Sequence, residues 1–310
     1  MASPLRLTIA PAVASGQTVS DNVVDDAWGV VIATFERAEA AMSRFRDESE
    51  LTRLNRRAPE PAAVSRDLGR ALVAADRAAR VTGGIFDPRI VESLERIGYP
   101  GVPQGSGAAR PDAGAPTDRV VDRCGRRGTV SLPVPVDLGG IGKGLALRWA
   151  ARDLNRRLSG EPLVGGFLVD AGGDIAGSGS PDGLGPWAVG IEDPSGGPDP
   201  VAVVTIRDRG AIATSSTRRL RWERDGRTVH HLIDPRTGEP GGEGLAAVTV
   251  AGPDPAWAEV WSKALFLEGE RQIAGSARAR GLAAWWVTEA GLLEMTPAAR
   301  VRTTWVASEA

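Results

Sequence analysis

The sequence predicts an α+β fold with an antiparallel or mixed sheet. Apolar residues recur at helical spacing in the first half, and short Val- and Ile-bearing runs crowd the second half from about residue 163. No regular strand–helix–strand alternation links the two, and the chain has no internal repeat.

Taken in order, Leu5 to Ala10 forms a first strand. Trp28, Val31, Ile32, Phe35, Ala38 and Met42 then mark the apolar face of a helix, with Asp26, Arg37 and Arg44 on the opposite face. A second helix starts at Ser65, an N-cap with Asp67 in its first turn. It runs through Leu68, Leu72, Ala75 and Ala79 and stops at Gly83-Gly84. Residues 101–118, rich in Gly, Pro, Ala and Ser without periodicity, read as a surface loop or insertion. Leu145, Trp149, Leu154 and Leu158 define a further helix. Strands follow at Leu163 to Asp170, Pro186 to Glu192, Val201 to Arg207, Gly210 to Thr214, Thr228 to Ile233 and Leu245 to Ala251. A helix at Ala256 to Gly269 interrupts them before Ala283 to Val287 and Val301 to Val306 resume the pattern.

At 310 residues the chain can bury a sizeable core, in one large domain or two smaller ones. A net charge of −2 gives no electrostatic reason to expect nucleic acid or an anionic membrane as partner. The single cysteine, Cys124, excludes an intrachain disulfide and any multi-cysteine metal site. No apolar run reaches the roughly 18 residues of a membrane span, and no basic-then-apolar leader is visible. The chain as it stands reads as cytoplasmic, and as exported if it is a truncated form.

The most informative stretch is Val136-Asp137-Leu138-Gly139-Gly140-Ile141-Gly142-Lys143-Gly144. Glycines let bare backbone N–H groups approach a phosphate, and a helix start behind them adds its dipole. It is not a Walker A loop, whose first Gly and final Ser or Thr are replaced by Asp137 and Gly144, and it has no G-x-G-x-x-G frame. Four more segments carry charge or glycine at element ends: Met42 to Leu51, Thr82 to Pro88, Val169 to Asp174 and His231 to Gly238. Asp87-Pro88 and Asp234-Pro235 also serve as plain turn starters. His230 and His231 are the chain's only histidines; in a strand they point to opposite faces, so only one enters a given site.

The ordered set Ser-Arg-Phe-Arg-Asp-Glu-Ser-Glu-Leu, Gly-Gly-Ile-Phe-Asp-Pro, Asp-Leu-Gly-Gly-Ile-Gly-Lys-Gly, Asp-Ala-Gly-Gly-Asp, Ala-Thr-Ser-Ser and His-Leu-Ile-Asp-Pro-Arg-Thr-Gly resembles the ApbE family, the FAD:protein FMN transferases. The likeness runs from about residue 28 to about 270. It implies a T-fold-like α+β architecture, a single flavin transferase domain over residues 1–310, and an FAD cleft between two lobes. It further implies cleavage of FAD with Mg²⁺, transfer of FMN to a threonine of an acceptor protein, and release of AMP. By the same resemblance, Phe45, Ile85, Phe86, Asp87, Asp137, Lys143 and Ile233 contact FAD, and His231 activates the acceptor hydroxyl. Gly140, Glu259 and Ser262 stand where the family places metal ligands.

The chain departs from the family on the metal helix. Glu259 replaces a usual Asp, and Lys263 replaces a usual Thr; an ammonium offers donors only and repels a cation. Glu259 and Lys263 stand at i and i+4, which predicts a surface ion pair of roughly 0.2–0.5 kcal/mol. A functional alternative puts the Lys263 charge at the metal position. The Met-Gly-Thr segment that usually begins the fold is not recognisable before Leu5. Two other activities stay open: binding FAD without transfer, as a carrier or scaffold, and hydrolysis of FAD to FMN and AMP.

Overall fold

The computed structural model describes residues 4–12, 18–99, 119–123, 128–181, 185–218 and 220–307. The expected loop at 101–118 and Cys124 lie outside the described residues.

Strand β1 (Leu5–Pro11) leads to helix α1 (Asp21–Met42), which buries Val31, Phe35, Ala38 and Met42 along the predicted stripe. Arg44 falls beyond the helix end and is buried, not exposed on the polar face as its spacing suggested. Ser49 caps α2 (Glu50–Arg57), and β2 (Ala62–Ala63) follows. Ser65 caps α3 (Arg66–Val81) by accepting from the Leu68 N–H, as its sequence predicts. A short α4 (Val91–Arg96) comes next. Strands β3 (Asp122–Arg123) and β4 (Thr129–Ser131) join β2 in a small antiparallel sheet. Helix α5 (Gly142–Leu158) leaves the glycine turn and buries Leu145, Trp149, Leu154 and Leu158.

The second half supplies β5 (Val164–Ala171), β6 (Asp174–Gly179), β7 (Trp187–Ile191), β8 (Ala202–Ile206), β9 (Gly210–Ser216), β10 (Arg221–Arg224), β11 (Arg227–His230) and β12 (Leu245–Gly252). Then come α6 (Pro255–Glu268), α7 (Glu270–Ala279), β13 (Ala283–Thr288), β14 (Leu293–Met295), α8 (Pro297–Arg300) and β15 (Thr303–Val306). The strand expected at Thr228 to Ile233 stops at His230; Ile233 instead forms an isolated bridge with Pro240.

A seven-stranded sheet in the order β1-β5-β6-β9-β12-β13-β14 organises the molecule, and each of its pairings is antiparallel. Alternate residues of β5 face opposite sides. Phe167 and Val169 pack under α1, α3 and α5, while Leu168 turns toward the three-stranded sheet β15-β8-β7. The same alternation parts the adjacent Trp285 and Trp286 of β13: the first packs against the three-stranded sheet, the second against α6 and α7. With one face taken by helices and the other by a second sheet, a cleft opens where the glycine turn and α6 meet the strand ends. No helix among the described residues is long and apolar enough to cross a membrane.

Candidate active site

The cleft has a volume of about 930 Å³, within the usual range for small-molecule sites. The glycine turn forms one wall and is held from three directions. Asn55 on α2 brackets Val136, donating to its carbonyl at 2.8 Å and accepting from its N–H at 3.0 Å. The Asp137 N–H donates to the Pro88 carbonyl at 2.7 Å, and the Asp137 carboxylate accepts from Gly139 N–H and from Arg44 Nε. The Arg44 guanidinium lies over the rings of Phe45 and Tyr99, 4.4 and 4.9 Å from their centroids. Its Nη2 is buried without a hydrogen-bond partner among the described residues.

Helix α5 starts at this turn with no side-chain cap. A missing cap costs about 1 kcal/mol, whereas each large apolar side chain it buries returns roughly 1.5–3 kcal/mol. The helix therefore stands with its N-terminus turned to the cleft, where Gly140, Gly142 and Lys143 all lie on the wall. Lys143 pairs with Asp174 at the start of β6, and the other carboxylate oxygen of Asp174 accepts from Thr214 N–H at 3.0 Å.

Helix α6 closes the floor. Asp254 caps it, accepting from Ala256 and Trp257 N–H at 3.0 and 3.2 Å. The Glu259 carboxylate is buried and accepts from Gly144 N–H at 2.7 Å, tying α6 to the first turn of α5. Burial raises its pKa, against the lowering effect of Lys143. The expected surface pair with Lys263 does not form, because this face of α6 is internal and the Glu259 carboxylate is committed to Gly144. Lys263 instead extends over the glycine turn. A Cβ on Gly140 would stand 2.7 Å from its Nζ and 2.9 Å from the Phe86 ring, so a larger residue there would displace the lysine or the ring. Ser262 is buried, its hydroxyl 2.9 Å from that of Ser215 and bonded to the Glu259 carbonyl at 3.0 Å.

His231 lies just past β11 and lines the cleft. Burial and the nearby Lys263 charge pull its pKa down to about 3. Its Nδ1 is buried with no hydrogen-bond partner among the described residues. His230 turns the other way, edge-on to Phe266, with burial bringing its pKa to about 4. The two histidines diverge, as adjacent residues in an extended chain must, and only His231 lines the cleft.

Of the remaining expected residues, Phe45, Phe86, Asp87, Asp137, Lys143 and Glu259 line the cleft. Asp87 is held by its own Arg89, with contacts at 2.6 to 3.1 Å. Ile85, Ile233 and Ser262 do not line it: Ile85 packs against two cores, Ile233 is buried with Leu94 and Ile97, and Ser262 faces Ser215. Tyr99 and Arg218 on the wall lie in none of the segments the sequence singles out, while Arg44 and Asp174 lie in two of them without an assigned role. Tyr99, the chain's single tyrosine, has its ring 6.0 Å from Phe45 and 6.2 Å from His231.

The comparisons with known proteins agree with this geometry. The sequence model of the ApbE family matches residues 1–286. The FAD:protein FMN transferase of Salmonella typhimurium is 28% identical, over 93% of this chain and 88% of that protein. That of Treponema pallidum is 32% identical, over 77% of this chain and 70% of its own. Among solved structures, the ApbE protein of Thermotoga maritima superposes with a TM-score of 0.79 at 26% identity, covering 97% and 96% of the two chains.

Proposed function

The chain belongs to the ApbE family, and on that premise we propose that it is an FAD:protein FMN transferase acting through this cleft as one flavin transferase domain. The observation that carries the assignment is what the cleft brings together: the glycine turn and the start of α5 with Lys143, and His231, all on its lining. The first suits a diphosphate, the second a hydroxyl proton. Phe45 and Phe86 supply ring and apolar contact for the flavin and adenine ends.

The reaction runs as a single displacement. The acceptor threonine oxygen bonds to the phosphorus on the FMN side of FAD, and the bond from that phosphorus to the bridging oxygen breaks. AMP leaves with the bridging oxygen and its electron pair. His231 takes the threonine proton on its unprotonated ring nitrogen. A ring kept neutral by burial has that lone pair available throughout the neutral range.

Mg²⁺, which the family resemblance implies, needs a near-octahedral set of oxygen ligands. The residues here do not fit it. Glu259 is bonded to Gly144, the Ser262 hydroxyl to Ser215 and the Glu259 carbonyl, and Lys263 covers Gly140.

Product analysis tests the assignment. After incubation with FAD and a candidate acceptor protein, transfer adds one FMN to the acceptor and releases AMP. AMP with free FMN and no adduct indicates hydrolysis; intact FAD indicates binding alone.

A further inference from the structure

We propose that the Lys263 ammonium is a tethered counter-cation for the FAD diphosphate, standing over Gly140 so that the chain binds FAD without a divalent metal ion. The inference rests on the assignment of the cleft as an FAD site. Its evidence is the placement of one side chain.

Lys263 lies across the glycine turn, with Nζ 2.7 Å and Cδ 3.0 Å from the point where a Gly140 Cβ would stand. The turn thus leaves room for a lysine at the place where backbone donors would meet a phosphate. The anchors of α6 fix the origin of that side chain: the Asp254 cap, the Glu259 bond to Gly144 and the Ser262 contact with Ser215. Two of those anchors engage one Glu259 oxygen and the Ser262 hydroxyl, groups at the positions the family uses for metal ligands.

The other cations near the turn have direct partners. Arg44 is paired with Asp137 and Lys143 with Asp174. Lys263 makes no ion pair among the described residues; burial lowers its pKa, against the favouring charges of Glu259, Asp137 and Asp174, and Lys143 adds to the lowering. A lysine desolvated without a contact ion is costly, and a bound diphosphate supplies one. Three donors on a compact point charge suit phosphate oxygens. A purely structural lysine would more economically have closed on Glu259, one turn away.

FAD titrated by flavin fluorescence, in excess EDTA and again in millimolar Mg²⁺, tests the proposal. The wild-type chain is expected to bind equally in both, within about twofold. Lys263→Thr is expected to lose about tenfold or more in EDTA, the loss of one charge-assisted contact, while Lys263→Arg retains most of the affinity. Thermal melts of each variant separate lost binding from lost folding. Binding by the wild-type chain that requires Mg²⁺ would overturn the proposal and leave the FAD site standing. So would wild-type affinity in a folded Lys263→Thr variant. No FAD binding under either condition would overturn the site assignment itself, and the proposal with it.

Discussion

Asn55 and Val136, distant in sequence, exchange two hydrogen bonds, side-chain amide to backbone, at 2.8 and 3.0 Å. Through them a short helix near the start of the chain sets the height of the glycine turn. Asn55→Ala removes both bonds and leaves a half-buried peptide group unpaired, at a cost of about 1–3 kcal/mol. The expected result is a lower melting temperature and weaker FAD binding, although Asn55 does not line the cleft. Calorimetry and an FAD titration on the same preparation measure both.

His231→Ala is expected to slow FMN transfer by about 10²–10⁴-fold while leaving FAD affinity within a few fold. The imidazole would act on the acceptor hydroxyl, whereas the FAD diphosphate would rest on the glycine turn. Single-turnover rates and equilibrium titrations separate the two effects. Unchanged transfer in this variant would remove His231 from the role of base.

Acid should destabilise the fold through the two histidines. Their pKa values fall from 6.5 to about 4 for His230 and about 3 for His231, mainly by burial. Between those values and 6.5 the unfolded chain binds more protons than the folded one, so stability rises with pH across the window and is lost as pH falls through it. Urea midpoints at pH 7 and pH 5 should therefore differ, with the lower value at pH 5. In a His230→Gln/His231→Gln variant the difference should shrink.

Gly144→Ala tests the contact between α5 and α6. The added Cβ would lie 2.5 Å from both Ala256 Cα and the Pro255 carbonyl oxygen. These are backbone atoms and cannot rotate away, so the helices must part at a cost of about 1–3 kcal/mol. A depressed melting temperature, with FAD affinity lowered as Glu259 loses its hold on Gly144, is the expected outcome.

The parts of the fold legible in sequence were those written locally. Ser65 caps α3 where its pattern predicts, and the apolar stripe of α1 points inward as spacing demands. Helix α2 is not legible, because Glu50–Arg57 is short and mostly polar, with only Leu51 and Leu54 as large apolar residues. Strand β6 escaped because Asp174–Gly179 carries only one β-branched residue among Gly, Ala and Ser.

At the site, the glycine turn and His231 were legible from residue type, whereas Arg44 and Tyr99 were not. Arg44 looks like one more helix-surface cation until folding brings it to Asp137, 93 residues away. The Glu259–Lys263 spacing misled for a related reason. An i,i+4 pair presumes a solvent-facing helix, and most of α6 is internal.

The ratio of AMP released to FMN attached tests the central claim most directly. With FAD and a competent acceptor protein, liquid chromatography of the nucleotide and intact mass of the acceptor should give one AMP for each FMN-bearing threonine, with no free FMN. AMP accumulating with free FMN and no adduct, or FAD recovered intact beside that acceptor, would contradict transfer.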